Sequence, residues 1–194
     1  MNALMQPELS LEAYLAWENQ QPTTNEFHRG LVLPVADMRR VNGCVRSNLL
    51  CELANSLGGS GCQVFSGSMK VQIEEDTVLY PDLFVTCDSA DLRTEMIFRS
   101  PTVVFEIVSP ATQAYKRSQK FAHYRRIPAL KEYILVDPDT HRVEAFRLNA
   151  DGQWVLHDLS DGESLEVASM GVSISMRDVF DGVDPPPPEP AAAA

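Results

Sequence analysis

Apolar residues recur at positions 41, 45, 49, 50, 53, 54 and 57, and Gly58-Gly59 closes the stretch. That spacing predicts an amphipathic helix with one buried face. Upstream, Ser10 followed by LEAYLAWE predicts a short helix, with Ser10 as N-cap, Leu11, Tyr14, Leu15 and Trp17 as its apolar positions, and Pro22 as its stop. The run from Glu26 to Val35 reads as a tight hairpin turning at Arg29-Gly30. Downstream the period shortens to that of strands, predicted over Cys62–Ser66, Met69–Glu74 and Val78–Cys87, with Pro81 near the start of the third. A charged loop with one helical turn fills 88–100. The VVFEIV run within 102–108 predicts a strand buried on both faces. Ser109-Pro-Ala-Thr then caps a helix predicted over Gln113–Arg126, Pro128 ends it, and Glu132–Asp137 is another strand. A hairpin about Asn149-Ala-Asp-Gly joins 141–148 to 153–158, and a strand at 172–174 and a turn of helix at 176–180 follow. Strands and helices interleave, which predicts an α/β (α+β) fold.

Two carboxylates break this apolar pattern near its centre. Asp82 heads one β-branched run and Glu106 stands inside the other, with Lys120 on the helix that follows. An acid within VVFEIV is costly to bury unless it is paired or metal-bound. Two acids on neighbouring strands with a lysine close by is the minimal set for metal-assisted phosphodiester cleavage. A hard divalent cation such as Mg²⁺ takes carboxylate, carbonyl, water and phosphate oxygens, here including the Glu106-Ile107 backbone. It lowers the pKa of a bound water, and a lysine beside that water orients it or offsets charge in the transition state. Plainer readings stand beside this one. Asp82 is also a natural turn residue after Pro81, and Glu106 with Lys120 makes an ordinary buried ion pair. Glu26 suits the surface of its hairpin, and His123 and Tyr124 suit packing or a rim.

At 194 residues, with 44% apolar and 22% charged positions, the chain has enough material for one domain with a real core. We place that domain at 1–183 and read 184–194, DPPPPEPAAAA, as a disordered tail. No uncharged apolar run is long enough for a membrane span, and the N-terminal residues lack a basic-then-apolar leader, so a cytoplasmic location is expected. Cys44, Cys51, Cys62 and Cys87 form no CxxC pair and predict buried free thiols in a reducing compartment. The net charge of −11 argues against tight, non-specific DNA binding, which draws its affinity from neutralised phosphates. Base is concentrated locally, at Arg39, Arg40 and Arg46 and again from Lys116 to Arg126, so a basic face on an acidic body is still available.

Four segments carry a resemblance to a known group: Tyr80-Pro-Asp82; Pro101-Thr-Val-Val-Phe-Glu106-Ile-Val-Ser-Pro; Lys120-Phe-Ala-His-Tyr-Arg-Arg-Ile-Pro-Ala-Leu-Lys-Glu-Tyr; and Val136-Asp137. From about Leu11 to Val183 the chain resembles the Uma-two family of restriction-endonuclease-like proteins, within the PD-(D/E)xK nuclease superfamily. The resemblance implies a restriction-endonuclease-like mixed β-sheet flanked by helices. Asp82 would be the Asp of the superfamily's PD, and Glu106 the acid of its (D/E)xK. Val108 stands where that lysine would be, and Lys120 on the following helix would replace it. Glu26 matches a recurrent family acid and could complete a metal shell with Asp82 and Glu106. The implied activity is Mg²⁺- or Mn²⁺-dependent endonucleolytic hydrolysis of DNA, with a homodimer expected by analogy.

The chain departs from the family pattern at three places. Val41 precedes Asn42 where a His is frequent, Ser68 replaces an Asp before Met69-Lys70-Val71, and Lys116 replaces the acid four residues before Lys120. Lys116 and Lys120 then share one helix face, where like charges repel. Asp82, Glu106 and Lys120 survive while residues around them have changed. Two readings follow: an active metal-dependent DNA endonuclease, or a catalytically silent binding or interaction protein on the same fold.

Overall fold

A computed structural model of the chain describes residues 9–36, 38–160 and 164–184. The N-terminal helix α1 (Leu11–Glu18) is capped by Ser10, whose hydroxyl accepts from Ala13 N. Strands β1 (Asn25–His28) and β2 (Leu31–Pro34) form the expected hairpin. Its turn residues Arg29 and Gly30 have φ of 46° and 83°, the left-handed pair that matches strand twist. Helix α2 (Arg40–Ser56) buries Val41, Val45, Leu49 and Leu53, the stripe that its sequence period predicts.

The remaining strands are β3 (Gln63–Ser66), β4 (Lys70–Ile73), β5 (Thr77–Leu79), β6 (Leu83–Thr86), β7 (Ile97–Phe98) and β8 (Val103–Ile107), followed by β9 (Glu132–Asp137), β10 (Arg142–Leu148), β11 (Trp154–Asp158), β12 (Ser164–Val167) and β13 (Val172–Ser175). Among the described residues they make a five-stranded sheet ordered β2-β1-β5-β4-β7, a six-stranded sheet ordered β11-β10-β9-β8-β6-β3, and the β12–β13 hairpin. In the six-stranded sheet only β8 and β9 are parallel. Parallel neighbours need a crossover, and the helical segment 113–124 between them supplies it. We call this segment the site helix. It runs through Gln113–Tyr115, a wider π turn at Lys116–Lys120, and Phe121–Tyr124.

The alternation of β8 distributes its side chains between two cores. Val103, Phe105 and Ile107 pack under α2 with Leu83, Val85, Ile134 and Val136. Val104 and Val108 face the other way, with Phe84, Tyr133 and Leu135, against Phe121 and Tyr124 of the site helix. Glu106 has the parity of Val104 and Val108, so it points toward the site helix.

Several expectations are corrected. The predicted strand 78–87 is two strands in different sheets, because Pro81 lacks an N–H and the chain changes sheet at Tyr80-Pro81-Asp82. Strands β7 and β12 were not expected; each is four residues or fewer and takes its conformation from a partner strand. The site helix ends at Tyr124, short of Arg126, and the Thr112 side chain makes no cap bond.

The cysteine expectation also fails. Cys62 and Cys87 form a disulfide, Cys51 is exposed and Cys44 is half-buried. The antiparallel register pairs Gln63 with Thr86, so the residues one step outward, Cys62 and Cys87, become cross-strand neighbours. Spacing along the chain carries no trace of that proximity. The tail from 185 onward lies outside the described residues. Among the described residues no helix is long and apolar enough to cross a membrane.

Candidate active site

The six-stranded sheet brings Asp82 and Glu106 together. β6 and β8 pair with Leu83 opposite Phe105, and one further step of that register sets Asp82 opposite Glu106. Asp82 Oδ2 accepts from Ile107 N at 2.8 Å, which ties the first acid to the strand of the second. The crossover then lays the site helix over this face, and its π turn, with lysines at both ends, covers the acids. Such turns recur at functional sites because they shift side chains out of regular helical register.

The two lysines are held in the same manner. Lys120 Nζ lies 2.8 Å from Glu106 Oε1, 2.8 Å from Glu26 Oε1 and 2.8 Å from the Tyr80 carbonyl. Lys116 Nζ lies 2.6 Å from Asp82 Oδ2, 2.9 Å from Glu106 Oε2 and 2.9 Å from the Ile107 carbonyl. Each ammonium therefore meets three oxygens, matching its three N–H donors. The Tyr80 carbonyl can serve Lys120 because the change of sheet at Pro81 releases it from a ladder.

Glu106 is the shared anion, 0% exposed, with one lysine on each oxygen. The two ammoniums, at 2.9 and 2.8 Å, answer its charge on both oxygens. Three carboxylates against two ammoniums leave the cluster one net negative charge. The unfavourable lysine pair seen in the sequence is thereby resolved, since each Lys has its own acid and both share Glu106.

Burial and charge compete at every member of this cluster. Burial alone would raise Asp82, but Lys116 and Lys120 outweigh it and hold the carboxyl below its ordinary range. Burial lowers both lysines, yet Glu106 with Asp82, and Glu106 with Glu26, carry Lys116 and Lys120 above the ordinary lysine value. At Glu106 burial is the larger influence and pushes its pKa up against the two ammoniums.

Glu26 is buried, not on a hairpin surface. Its Oε1 also accepts from Tyr80 N at 3.1 Å, and Oε2 accepts from the Tyr115 hydroxyl at 2.9 Å. Behind it, Glu18 of α1 accepts from the Asn25 backbone N–H, the Asn25 side-chain amide and the Tyr80 hydroxyl, which locks α1 and β1 against the site. Asn42 of α2 donates from Nδ2 to the Ile107 and Val108 carbonyls at 3.3 and 3.4 Å, while its Oδ1 is buried without a partner. Sequence reasoning did not place Lys116, Tyr115 or Asn42 in the site. Lys116 had a legible signal, its position one turn before Lys120. Tyr115 and Asn42 had none, since only the crossover and the α2 docking bring them to the acids. His123, read as packing or rim, lies against His28, with ring centroids 4.1 Å apart and the planes tilted by 55°.

Among the described residues, no three His, Cys, Asp or Glu side chains form a group that could hold a metal. Glu26 shares Lys120 with Glu106, whereas Asp82 shares Lys116 with Glu106. The donor chemistry at the Asp82 side nevertheless fits a hard divalent cation. Two carboxylate oxygens and the Ile107 carbonyl converge on one point, where the Lys116 ammonium stands.

The basic residues that the sequence groups together are largely engaged internally. Arg39 pairs with Asp139, Arg40 donates to the Gly182 and Asp184 carbonyls, Arg117 pairs with Glu144, and Arg126 reaches Glu74 and Asp76.

A mixed sheet with two strand acids under a crossover helix defines the restriction-endonuclease-like class. Residues 11–177 match the Uma2 family, described as "Putative restriction endonuclease", and the chain belongs to that family. It is 30% identical over 178 residues to the uncharacterized protein slr1290 of Synechocystis sp., covering 91% of this chain and 94% of that one. A second Synechocystis protein, sll1609, is 30% identical over 162 residues, with 82% and 91% of the two chains covered. In fold it is similar to a crystal structure described as "a putative nuclease belonging to DUF820" from Anabaena variabilis, with a TM-score of 0.76, 17% identity, and 90% and 99% coverage.

Proposed function

We propose that this protein is a metal-dependent endonuclease that hydrolyses phosphodiester bonds of DNA at the Asp82–Glu106–Lys120 cluster. The observation that carries the proposal is the convergence of Asp82 Oδ2, Glu106 Oε2 and the Ile107 carbonyl on one point, on a fold and in a family of nuclease type. Asp82 and Glu106 would hold Mg²⁺ or Mn²⁺, whose contribution is to activate water and offset charge on the phosphoryl oxygens. Lys120 presents a positive charge beside Glu106 that would offset charge in the transition state, and for it to orient the attacking water one of its three contacts, to Glu26, Glu106 or the Tyr80 carbonyl, must open. Glu26 belongs to this arrangement by holding Lys120, and Tyr115 and Tyr80 hold Glu26. Asp82, at 22% side-chain exposure the most open of the acids, marks the side from which a phosphate approaches. Cleavage of both strands by one small centre calls for a homodimer, which light scattering measures directly.

The test is incubation of the purified chain with Mg²⁺ or Mn²⁺ on supercoiled plasmid and on single-stranded DNA, beside Asp82→Asn and Glu106→Gln. Wild type should nick the substrate, leaving phosphate and hydroxyl ends, and both variants should be silent. Identical behaviour of all three proteins sinks the nuclease reading.

One observation favours a second reading, a binding protein that keeps the fold without turnover. Lys116 already stands where the oxygens of Asp82 and Glu106 converge, and most of the local basic residues are engaged by internal partners. In that case the chain gives no cleavage with any divalent ion.

A further inference from the structure

The two lysines of the cluster have the same number of partners but different surroundings. Lys120 is closed in, with 5% of its side chain exposed, between Glu26, Glu106 and the Tyr80 carbonyl. Lys116 has 12% exposed, sits at the start of the π turn, and lies on the side of the more open Asp82. Its Nζ occupies the point shared by two anionic oxygens from adjacent strands and one main-chain carbonyl. That is an oxygen donor set of the kind a hard cation takes, built from two carboxylates and a carbonyl. The Glu106 carboxylate meets this ammonium as an ion pair at 2.9 Å.

We propose that Lys116 is a tethered cation that stands in the divalent-metal position, so that a metal ion enters only when the Lys116 ammonium leaves. The proposal rests on the reading of Asp82 and Glu106 as a cation site. Charge makes occupancy exclusive. With Lys116 in place the cluster carries one net negative charge, and a divalent ion added beside it would share the same oxygens with a second cation. With Lys116 withdrawn, a divalent ion brings the three acids and Lys120 to neutrality. The resting protein is therefore stable without metal, and its affinity for metal is lowered by the competing side chain. Lys116 is a positioning residue in this scheme. Its departure is a swing of the four-carbon stem toward the side on which 12% of the side chain meets solvent.

The experiment titrates Mn²⁺ and, separately, Mg²⁺ into the full chain by calorimetry, with thermal unfolding read in parallel. The variants are Lys116→Ala, Lys116→Gln, which keeps a neutral donor should the alanine variant fold poorly, and Lys116→Gln combined with Asp82→Asn. Wild type should bind weakly, with a melting point insensitive to metal. Lys116→Gln and Lys116→Ala should melt lower than wild type without metal, bind one Mn²⁺ at least about tenfold more tightly, and recover their melting point as metal is added. The double variant should lose that gain. If wild type binds as tightly as the Lys116 variants, metal and ammonium coexist and the proposal is overturned, while a metal site at Asp82 and Glu106 stands. If folded Lys116 variants gain no binding, the proposal is overturned too. Plasmid nicking by wild type then decides whether the nuclease reading falls with it.

Discussion

The two faces of the six-stranded sheet are built from the same strands and do opposite things. On the α2 face, Leu83, Val85, Val103, Phe105, Ile107, Ile134 and Val136 meet Val45, Leu49 and Leu53, and the buried Glu132, paired with Arg147 at 3.0 Å, stands at the start of β9 on the same parity as Ile134 and Val136. On the other face the same strands present Asp82 and Glu106 between Phe84, Val104, Tyr133 and Leu135. Ile107 and Glu106 are chain neighbours, yet one is a core side chain and the other the hub of five charges. The first face accepts any well-shaped apolar set, because dispersion and the hydrophobic effect are non-directional. The second works only as a complete set, because each buried charge needs its own partners.

The largest effect expected is on the charged face. Glu106→Ala leaves Lys116 and Lys120 without their shared anion and should cost about 3–5 kcal/mol in urea unfolding. A loss below about 1 kcal/mol would mean that water or rearranged side chains replace the carboxylate, and the contrast between faces would collapse. Leu49→Ala on the apolar face should cost a comparable about 2–5 kcal/mol through its cavity, but leave metal titrations of the remaining folded protein unchanged. Altered metal binding in that variant would show that the faces are coupled.

At the sheet edge the Cys62–Cys87 bridge closes a sequence separation of 25 residues. Reduction, or a Cys62→Ser, Cys87→Ser pair, should cost about 2–4 kcal/mol, and only the α2 face, against which Cys62 packs, is next to the change. An unchanged melting point under reductant would show that the bridge does not form in the purified protein.

The smallest effect is a pH dependence at the outer end of the site helix. Burial, then His28 and Arg126, depress His123 from 6.5 to about 4. The unfolded chain therefore takes up a proton that the folded chain refuses. Stability from this group is complete above pH 6.5 and falls as pH drops from there toward 4. His123→Phe should flatten the melting-point profile between pH 6.5 and 4.5. A profile as steep as that of wild type would assign the acid sensitivity to other groups, such as the half-buried neighbour His28, also depressed by burial.

Much of this molecule was legible along the chain. The 41–57 stripe gave α2 its buried face, Arg29-Gly30 marked the turn of the first hairpin, and the intrusion of Glu106 into VVFEIV pointed to the buried charge cluster. These features rest on local periodicity, backbone preference and the cost of an isolated buried acid, all properties of residues near one another in sequence. The PD-plus-acid spacing and Lys120 also carried enough of the pattern to identify the family. The partners of Cys62, Glu26 and Lys116 were not legible in this way. Cys62 meets Cys87 only because β3 pairs with β6, Glu26 is buried only because the first hairpin docks beside Tyr80, and the helix crossover alone makes Lys116 a counter-ion rather than a repelled neighbour of Lys120. Which residues are charged and which strand face they share can be read along the chain, since side-chain alternation is local. Which charge answers which is settled in three dimensions, because ion pairing depends on distances between elements that only folding brings together.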